Sequence, residues 1–280
     1  MKKTACMVLI LGILFSITAF AQSEKTIKYI KSEENYDYSS DTVYIARDKS
    51  TNEIIPLAIG PLDGYSYAYL PNDSDFETKK ETIEIKYTDL NEWQSLDMYI
   101  REMTGREIFS GYSDGTFQLD KILTRAEMAT VYARMFKIEK TQSVSCFDDI
   151  PENHWAKDFI MAHVDNGVFE KDINFNPDAL ITREQLAAMT FRMLEYMGMI
   201  GKQEEEFDFS KYQDFDEVSE YAKTAYKALL GEGYQLMTEI VENNFEDTSD
   251  DEFYFYPKKT VTRLECCKFL YQFIRHFFNS

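Results

Sequence analysis

The four residues Thr124-Arg125-Ala126-Glu127 begin a pattern that the chain repeats at Thr182-Arg183-Glu184-Gln185 and at Thr262-Arg263-Leu264-Glu265. Each copy has the spacing of a capping box, in which the threonine hydroxyl and the later carboxylate or amide satisfy backbone amides at a helix N-terminus. Apolar residues follow each start at helical spacing: Met128, Val131, Met135 and Phe136; Leu186, Met189, Met193 and Leu194; Cys266, Phe269, Phe273 and Ile274. The sequence therefore predicts a repeated helical unit with one buried stripe per helix.

The arginine in each start is the residue that capping does not explain. A cation at the first helical position opposes the helix dipole, at a cost of about 0.3–1 kcal/mol on a surface. One interpretation is that each guanidinium binds an anion together with the helix N-terminus. The other is a local ion pair, because Asp120 and Asp178 lie four residues before Thr124 and Thr182, although Lys258 takes that place in the third copy.

Residues 1–21 have the pattern of a secretory signal peptide. Lys2 and Lys3 precede an apolar run from Met7 to Phe15, and Ala19-Phe20-Ala21 has the small-residue spacing of a cleavage site. That run is too short to span a membrane, and no later segment reaches about 18 consecutive apolar residues. The sequence therefore predicts a secreted protein whose mature chain has no transmembrane segment.

The chain is strongly acidic, with 49 Asp and Glu against 30 Lys and Arg and a net charge of −19. Such a charge argues against nucleic acid and anionic membranes as partners. An anionic ligand would therefore need a local arrangement of arginines that outweighs the overall field. The cysteines that follow the signal peptide, Cys146, Cys266 and Cys267, lack the paired spacing of a zinc site, and we expect no metal and no cofactor.

Two regions of different character follow the signal peptide. Residues 22–86 contain short β-branched and aromatic runs separated by turn residues, and they predict a small antiparallel β domain. The alternation in Tyr65–Tyr69 and in Ile83–Tyr87 is typical of half-buried strands. Residues 87–138, 146–198 and 211–278 each predict a helix, a loop and a second helix. The fold class is therefore α+β and mainly helical.

The helical units resemble a known family. Phe109-Ser110-Gly111-Tyr112-Ser113-Asp114-Gly115-Thr116-Phe117, followed by the Thr124 start, resembles an S-layer homology repeat, and so does Phe147-Asp148-Asp149 with His154-Trp155-Ala156 ahead of Thr182. The resemblance covers residues 87–275 and implies a pseudo-threefold, mostly α-helical module of three repeats. It also implies that the module holds an exported protein on the bacterial cell wall by binding a secondary cell-wall polysaccharide, often a pyruvylated one, in grooves between repeats.

The resemblance assigns polymer contact to seven residues of this sequence: Arg125, Arg183, Arg263, Gly111, Asp114, Gly115 and Trp155. A pyruvyl ketal is a carboxylate on a sugar, which a planar guanidinium can hold with two parallel hydrogen bonds. A tight turn explains the two glycines equally well, and for Trp155 we favour a core position over a sugar contact. The second loop, Phe169–Phe175, lacks these glycines, and an acidic insertion interrupts the third, so we expect one to three working grooves.

Two motifs for other functions are present in part. Gly111-Tyr112-Ser113-Asp114-Gly115 matches the nucleophile elbow of hydrolases, which requires a large α/β sheet that this sequence does not predict. Asp172–Asn176 matches half of a calcium loop, but Pro177 stands where glycine is required and Arg183 where glutamate is required. We therefore expect a non-catalytic protein anchored to wall polysaccharide, with other envelope proteins as further partners. The alternative is a protein-interaction or assembly scaffold whose degenerate repeats no longer bind polymer.

Overall fold

The structure, a computed structural model, describes residues 25–31, 42–62, 65–71, 75–91, 98–200, 207–234, 236–241 and 252–277. The expected signal peptide at residues 1–21 lies outside these ranges, as does most of the acidic insertion in the third unit. The described residues combine small antiparallel sheets with a larger helical part, which confirms an α+β fold.

The N-terminal region contains five strands: β1 Lys25–Lys31, β2 Thr42–Asp48, β3 Ala58–Leu62, β4 Tyr65–Pro71 and β5 Phe76–Thr82. They form two antiparallel sheets, one in the order β1–β4–β3 and one of β2 with β5. The register places Tyr29 opposite Tyr67 and Ile45 opposite Lys79. A small cluster of buried residues joins the two sheets: Ala46, Ile55, Ala58, Ala68 and Phe76.

The expected strand over Ile83–Tyr87 is wrong. The last strand of the region is β5, and residues 83–87 continue beyond it without a ladder partner. Their alternation has a different cause, because Ile85 and Tyr87 pack on the helical core while Ile83 packs beside Gly105. This segment therefore connects the β region to the helical part through side-chain packing and not through strand pairing.

The described helical part contains six α-helices: α1 Met98–Gly105, α2 Arg125–Met135, α3 Lys157–Asp165, α4 Arg183–Tyr196, α5 Glu220–Gly231 and α6 Arg263–Phe277. A short antiparallel pair, β6 Glu239–Val241 with β7 Glu252–Tyr254, lies between α5 and α6. The three expected capping boxes are confirmed: the amides of Thr124, Thr182 and Thr262 donate to Glu127, Gln185 and Glu265 at 2.9, 3.1 and 2.9 Å.

The predicted apolar stripes are also confirmed, and they form one continuous core. Met128, Leu186 and Cys266 are buried and belong to the same cluster, together with most of the other apolar residues of the helices. Leu57 of the β region belongs to that cluster too. The β region is therefore packed against the helical part.

A closed ring of three hydrogen bonds lies in front of the capped helices. The amide of Leu123 donates to Val261, that of Val261 to Ile181, and that of Ile181 back to Leu123, at 3.0, 3.1 and 2.9 Å. These residues precede the starts of α2, α4 and α6, and all three are fully buried. The ring therefore holds the N-termini of α2, α4 and α6, which carry the three arginines, next to one another.

Candidate anion-binding groove between repeats

Each arginine of the repeated start contacts the loop of the next unit and not the loop of its own unit. Arg125 Nε donates to the carbonyl of Phe175 at 2.9 Å, Arg183 Nη1 to Phe255 at 3.1 Å, and Arg263 Nε to Phe117 at 2.7 Å. The loop that contains Gly111, Asp114 and Gly115 therefore accompanies Arg263. The sequence did not reveal this exchange, because it follows from how the units close on one another.

An aspartate braces each of these loops. Asp149 accepts hydrogen bonds from the amides of Phe175 and Asn176 at 2.8 and 2.6 Å. Asp89 and Asp214 make the same pair of contacts with residues 117–118 and 255–256. In each loop the second residue has a positive φ of 47–58°, a conformation that needs such support. From the sequence we gave these aspartates no role, although the recurrence of one near the start of each helical unit, at Asp89, Asp149 and Asp214, was the available signal.

The helix N-terminal amides do not face a ligand site, which corrects our expectation. The amide of Arg125 donates to Ala179 and that of Ala126 to Pro177, at 2.9 and 3.0 Å. The amide of Glu127 donates to the Thr124 hydroxyl at 3.2 Å. The starts of α4 and α6 use their amides in the same way. An anion bound here would therefore not be held by these helix amides.

Two of the three arginines to which the resemblance assigns polymer contact, Arg183 and Arg263, are enclosed by the protein. Arg183 is 6% exposed and its Nη2 lies 3.2 Å from a carboxylate oxygen of Glu265. Burial raises the pKa of Glu265, but hydrogen bonds from Thr262 and Arg183 lower it overall. Arg183 is thus neutralised inside the protein by a carboxylate of the third unit.

Arg263 is enclosed by neutral groups. It is 5% exposed, and Nη2 donates to the carbonyl of Ser110 at 2.8 Å. Its guanidinium carbon lies 4.6 to 5.1 Å from the ring centroids of Phe109, Tyr112 and Phe117. Carbonyl oxygens and aromatic faces stabilise a cation, and they leave this side chain little access to a ligand.

Arg125 lies in an open groove of about 560 Å³. The groove is formed by the second loop and α4, and Tyr221 at the start of α5 contributes to its wall. The guanidinium carbon lies 4.8 Å from the ring centroid of Phe175. Within the described ranges Arg125 has no carboxylate partner, and Asp120 does not pair with it. Only its Nε is hydrogen-bonded there, so both Nη groups remain available as donors.

Further donor groups line the same groove. Arg192 of α4 has Glu170 as its carboxylate neighbour at 3.9 Å, beyond hydrogen-bonding distance. Burial lowers the pKa of Arg125, and the positive charge of Arg192 lowers it further, while the nearby Tyr221 and Asp149 side chains act in the opposite direction without reversing the shift. Two neighbouring guanidinium groups repel each other, and an anion bound between them offsets that repulsion. Exposed Glu170, Lys171 and Asp172 of the second loop line the groove as well.

The first loop has a structural reason for its glycines. A methyl group at Gly111 would overlap the ring of Tyr87, and Gly115 has φ +82°. Asp114 accepts hydrogen bonds from the amide and hydroxyl of Thr116, which lower the pKa of its carboxyl. These residues close a turn beside Arg263, and their contact with polymer stays a prediction.

Trp155 lies outside the groove that contains Arg125. It is 58% exposed and stacks on His154 with 5.8 Å between ring centroids. The core position that we favoured is therefore wrong. The side chain is an exposed aromatic surface at the start of α3, and its contact with sugar stays a prediction.

Two further properties bear on function. Across the described ranges, no group of three or more His, Cys, Asp or Glu side chains is arranged to hold a metal ion. In the same ranges, the helices are too short or too polar to cross a lipid bilayer.

Comparison with known proteins identifies the repeated unit. The family model of the S-layer homology domain matches residues 86–129 and 147–187. These two segments match the S-layer homology domain. They contain the start at Thr124 and the start at Thr182, on the two sides of the groove described above.

Similar proteins share the S-layer homology region and are much longer. A cellulosome-anchoring protein of Acetivibrio thermocellus is 36% identical over 40% of this chain and 26% of its own length. A surface-layer 125 kDa protein of Lysinibacillus sphaericus is 27% identical over 51% of this chain and 12% of its own length. An endoglucanase of a Bacillus species is 30% identical over 61% of this chain and 17% of its own length. The S-layer homology domains and these relatives indicate an extracellular protein of the bacterial cell surface.

Proposed function

We propose that this protein is a non-catalytic anchor that binds an acidic secondary cell-wall polysaccharide through the groove containing Arg125. The observation that carries the proposal is the state of that side chain. Arg125 is a half-buried cation in an open groove between two S-layer homology domains, and within the described chain it has no carboxylate partner. A carboxylate on a sugar, such as a pyruvyl ketal, supplies the missing partner with matching planar geometry.

The rest of the groove suits a sugar polymer. The ring of Tyr221, 52% exposed, offers an apolar face for a sugar ring, and its hydroxyl is fixed by a 3.0 Å hydrogen bond to Glu184. A few polar groups around an apolar wall are typical of sites that fix one ligand orientation.

The proposal includes a third repeat at residues 211–278, which would make the module pseudo-threefold. Three features support it: the closed ring of Leu123, Ile181 and Val261, the third capping box at Thr262, and the third aspartate-braced loop at Asp214. The three units would then share one core, since a single helical pair cannot bury both of its faces.

Co-sedimentation with purified bacterial sacculi tests the proposal. The wild-type protein is expected to pellet with sacculi that carry the polymer, and Arg125→Gln is expected to stay in the supernatant. Arg183→Gln is the matched control. It removes the corresponding arginine of the second motif, whose guanidinium is already paired with Glu265. Thermal unfolding of each variant shows whether it is folded. Pelleting of Arg125→Gln to the wild-type extent would reject the proposal.

One observation favours a second function. Arg183 and Arg263 are satisfied by the protein itself, as expected of repeats that keep only a scaffold role. An envelope protein-interaction or assembly scaffold would leave the wild-type protein in the supernatant with sacculi. It would also self-associate or bind another exported protein, which analytical ultracentrifugation detects.

A further inference from the structure

The third residues of the capped helices are Glu127, Gln185 and Glu265. One side-chain oxygen of each completes the capping box, and the three residues differ in the contacts of the other polar atom. In Glu265 one carboxylate oxygen accepts from the Thr262 amide at 2.9 Å, and the other accepts from Arg183 at 3.2 Å. In Glu127 one oxygen accepts from the Thr124 amide at 2.9 Å. Its other oxygen accepts from Lys121 and from the Tyr112 hydroxyl, both at 3.0 Å. In both helices the second carboxylate oxygen therefore accepts hydrogen bonds from side chains of the protein itself.

Gln185 occupies the corresponding place in α4 and cannot do the same. Its single carbonyl oxygen accepts from the Thr182 amide at 3.1 Å, which completes the capping box. The remaining polar atom is an amide nitrogen, which donates and does not accept. Within the described chain this nitrogen has no hydrogen-bond partner.

The position of Gln185 relates it to Arg125. Arg183 and Glu265 come from consecutive capped helices, α4 and α6, and they meet directly. Arg125 and Gln185 are the corresponding pair from α2 and α4, and both line the 560 Å³ groove. A glutamate at residue 185 would therefore offer Arg125 an internal carboxylate, as Glu265 does for Arg183.

We propose that Gln185 determines which groove binds the anionic polymer, by leaving Arg125 unneutralised and by donating its own amide to the same ligand carboxylate. The inference rests on the function proposed above and deepens it. It explains why Arg125 lacks the internal carboxylate that Glu265 gives Arg183 at the corresponding place. It also assigns a binding role to Gln185, because glutamate would complete the capping box at this position as well.

The test is calorimetric titration with a synthetic pyruvylated wall disaccharide and with the same disaccharide lacking the ketal. Gln185→Glu is expected to weaken binding of the pyruvylated form by at least about tenfold, because it supplies an internal partner for Arg125. The variant is expected to fold, since glutamate completes the capping box at Glu127 and Glu265. Its thermal midpoint checks this.

Asn174→Asp is the matched control, because it adds one negative charge to the same groove away from the capping position. A charge on an exposed residue is expected to weaken binding by less than about threefold. Equal losses in both variants would overturn the inference in favour of general repulsion. Wild-type affinity in Gln185→Glu, with binding abolished in Arg125→Gln, would overturn the inference and leave the proposed function standing. If the wild-type protein ignores the pyruvylated disaccharide, both fail.

Discussion

Replacing His163 by glutamine is expected to remove an acid-sensitive part of the folding free energy. The ring is fully buried in α3, and its Nε2 lies 2.8 Å from the carbonyl oxygen of Ala129 in α2. Because a carbonyl only accepts, Nε2 carries the proton. The other ring nitrogen, Nδ1, is buried without a hydrogen-bond partner. The neutral imidazole therefore fits this site, and the charged form does not.

The magnitude follows from the pKa of the imidazole. Burial lowers the pKa of His163 from 6.5 to about 4, against a smaller opposing effect of the hydrogen bond to Ala129. The unfolded chain then binds a proton before the folded chain does, so the stabilisation is complete above the unfolded pKa and declines as the pH falls towards 4. The total loss is roughly 3 kcal/mol, of which about 2 kcal/mol falls between pH 7 and pH 5.

Urea unfolding followed by circular dichroism at pH 7, 6 and 5 measures this loss. Carboxylates with lowered pKa values, such as those of Glu127 and Glu265, also weaken the fold in acid. They are present in both proteins, so the quantity to compare is the difference between wild type and His163→Gln. Glutamine retains an N–H donor for Ala129 and does not titrate. An unchanged pH dependence in the variant would show that the His163 imidazole is not the source of this loss.

Three further predictions concern packing. Gly111→Ala is expected to lower stability by about 1–3 kcal/mol, seen as a lower midpoint in urea, because the added methyl overlaps Tyr87. Glu102→Gln is expected to cost roughly 3–5 kcal/mol in the same assay, because it leaves Arg106 without its buried carboxylate; a cost below about 1 kcal/mol would contradict the pairing. Trp155→Ala is expected to change the free energy of unfolding by less than about 0.5 kcal/mol, because the ring is exposed. A larger loss of stability measured by calorimetry would indicate that the ring packs in the core.

The local part of the fold could be predicted from the sequence because its causes are local. Thr124, Thr182 and Thr262 lie three residues before the groups that complete their capping boxes, and the apolar stripes follow at helical spacing. The strand misplaced at Ile83–Tyr87 shows the limit of this reasoning. An alternating segment can meet two packing surfaces without pairing with a strand, and only the tertiary structure distinguishes the two cases.

The site could be predicted only in part. The motif marks Arg125, Arg183 and Arg263 alike, and nothing within a motif tells which arginine has a partner. That depends on the following unit in space, which supplies Gln185 to one arginine and Glu265 to another. The occupied helix amides were missed for the same reason, because their acceptors Ala179 and Lys259 belong to other units.

We infer that Arg125, alone among the three motif arginines, binds the carboxylate of an acidic sugar. A crystal of the protein soaked with pyruvylated wall disaccharide tests this most directly. We expect the ketal carboxylate within hydrogen-bonding distance of the Arg125 guanidinium, in the groove lined by Gln185 and Arg192. A disaccharide bound at Arg183 or Arg263, with the Arg125 groove empty, would contradict it.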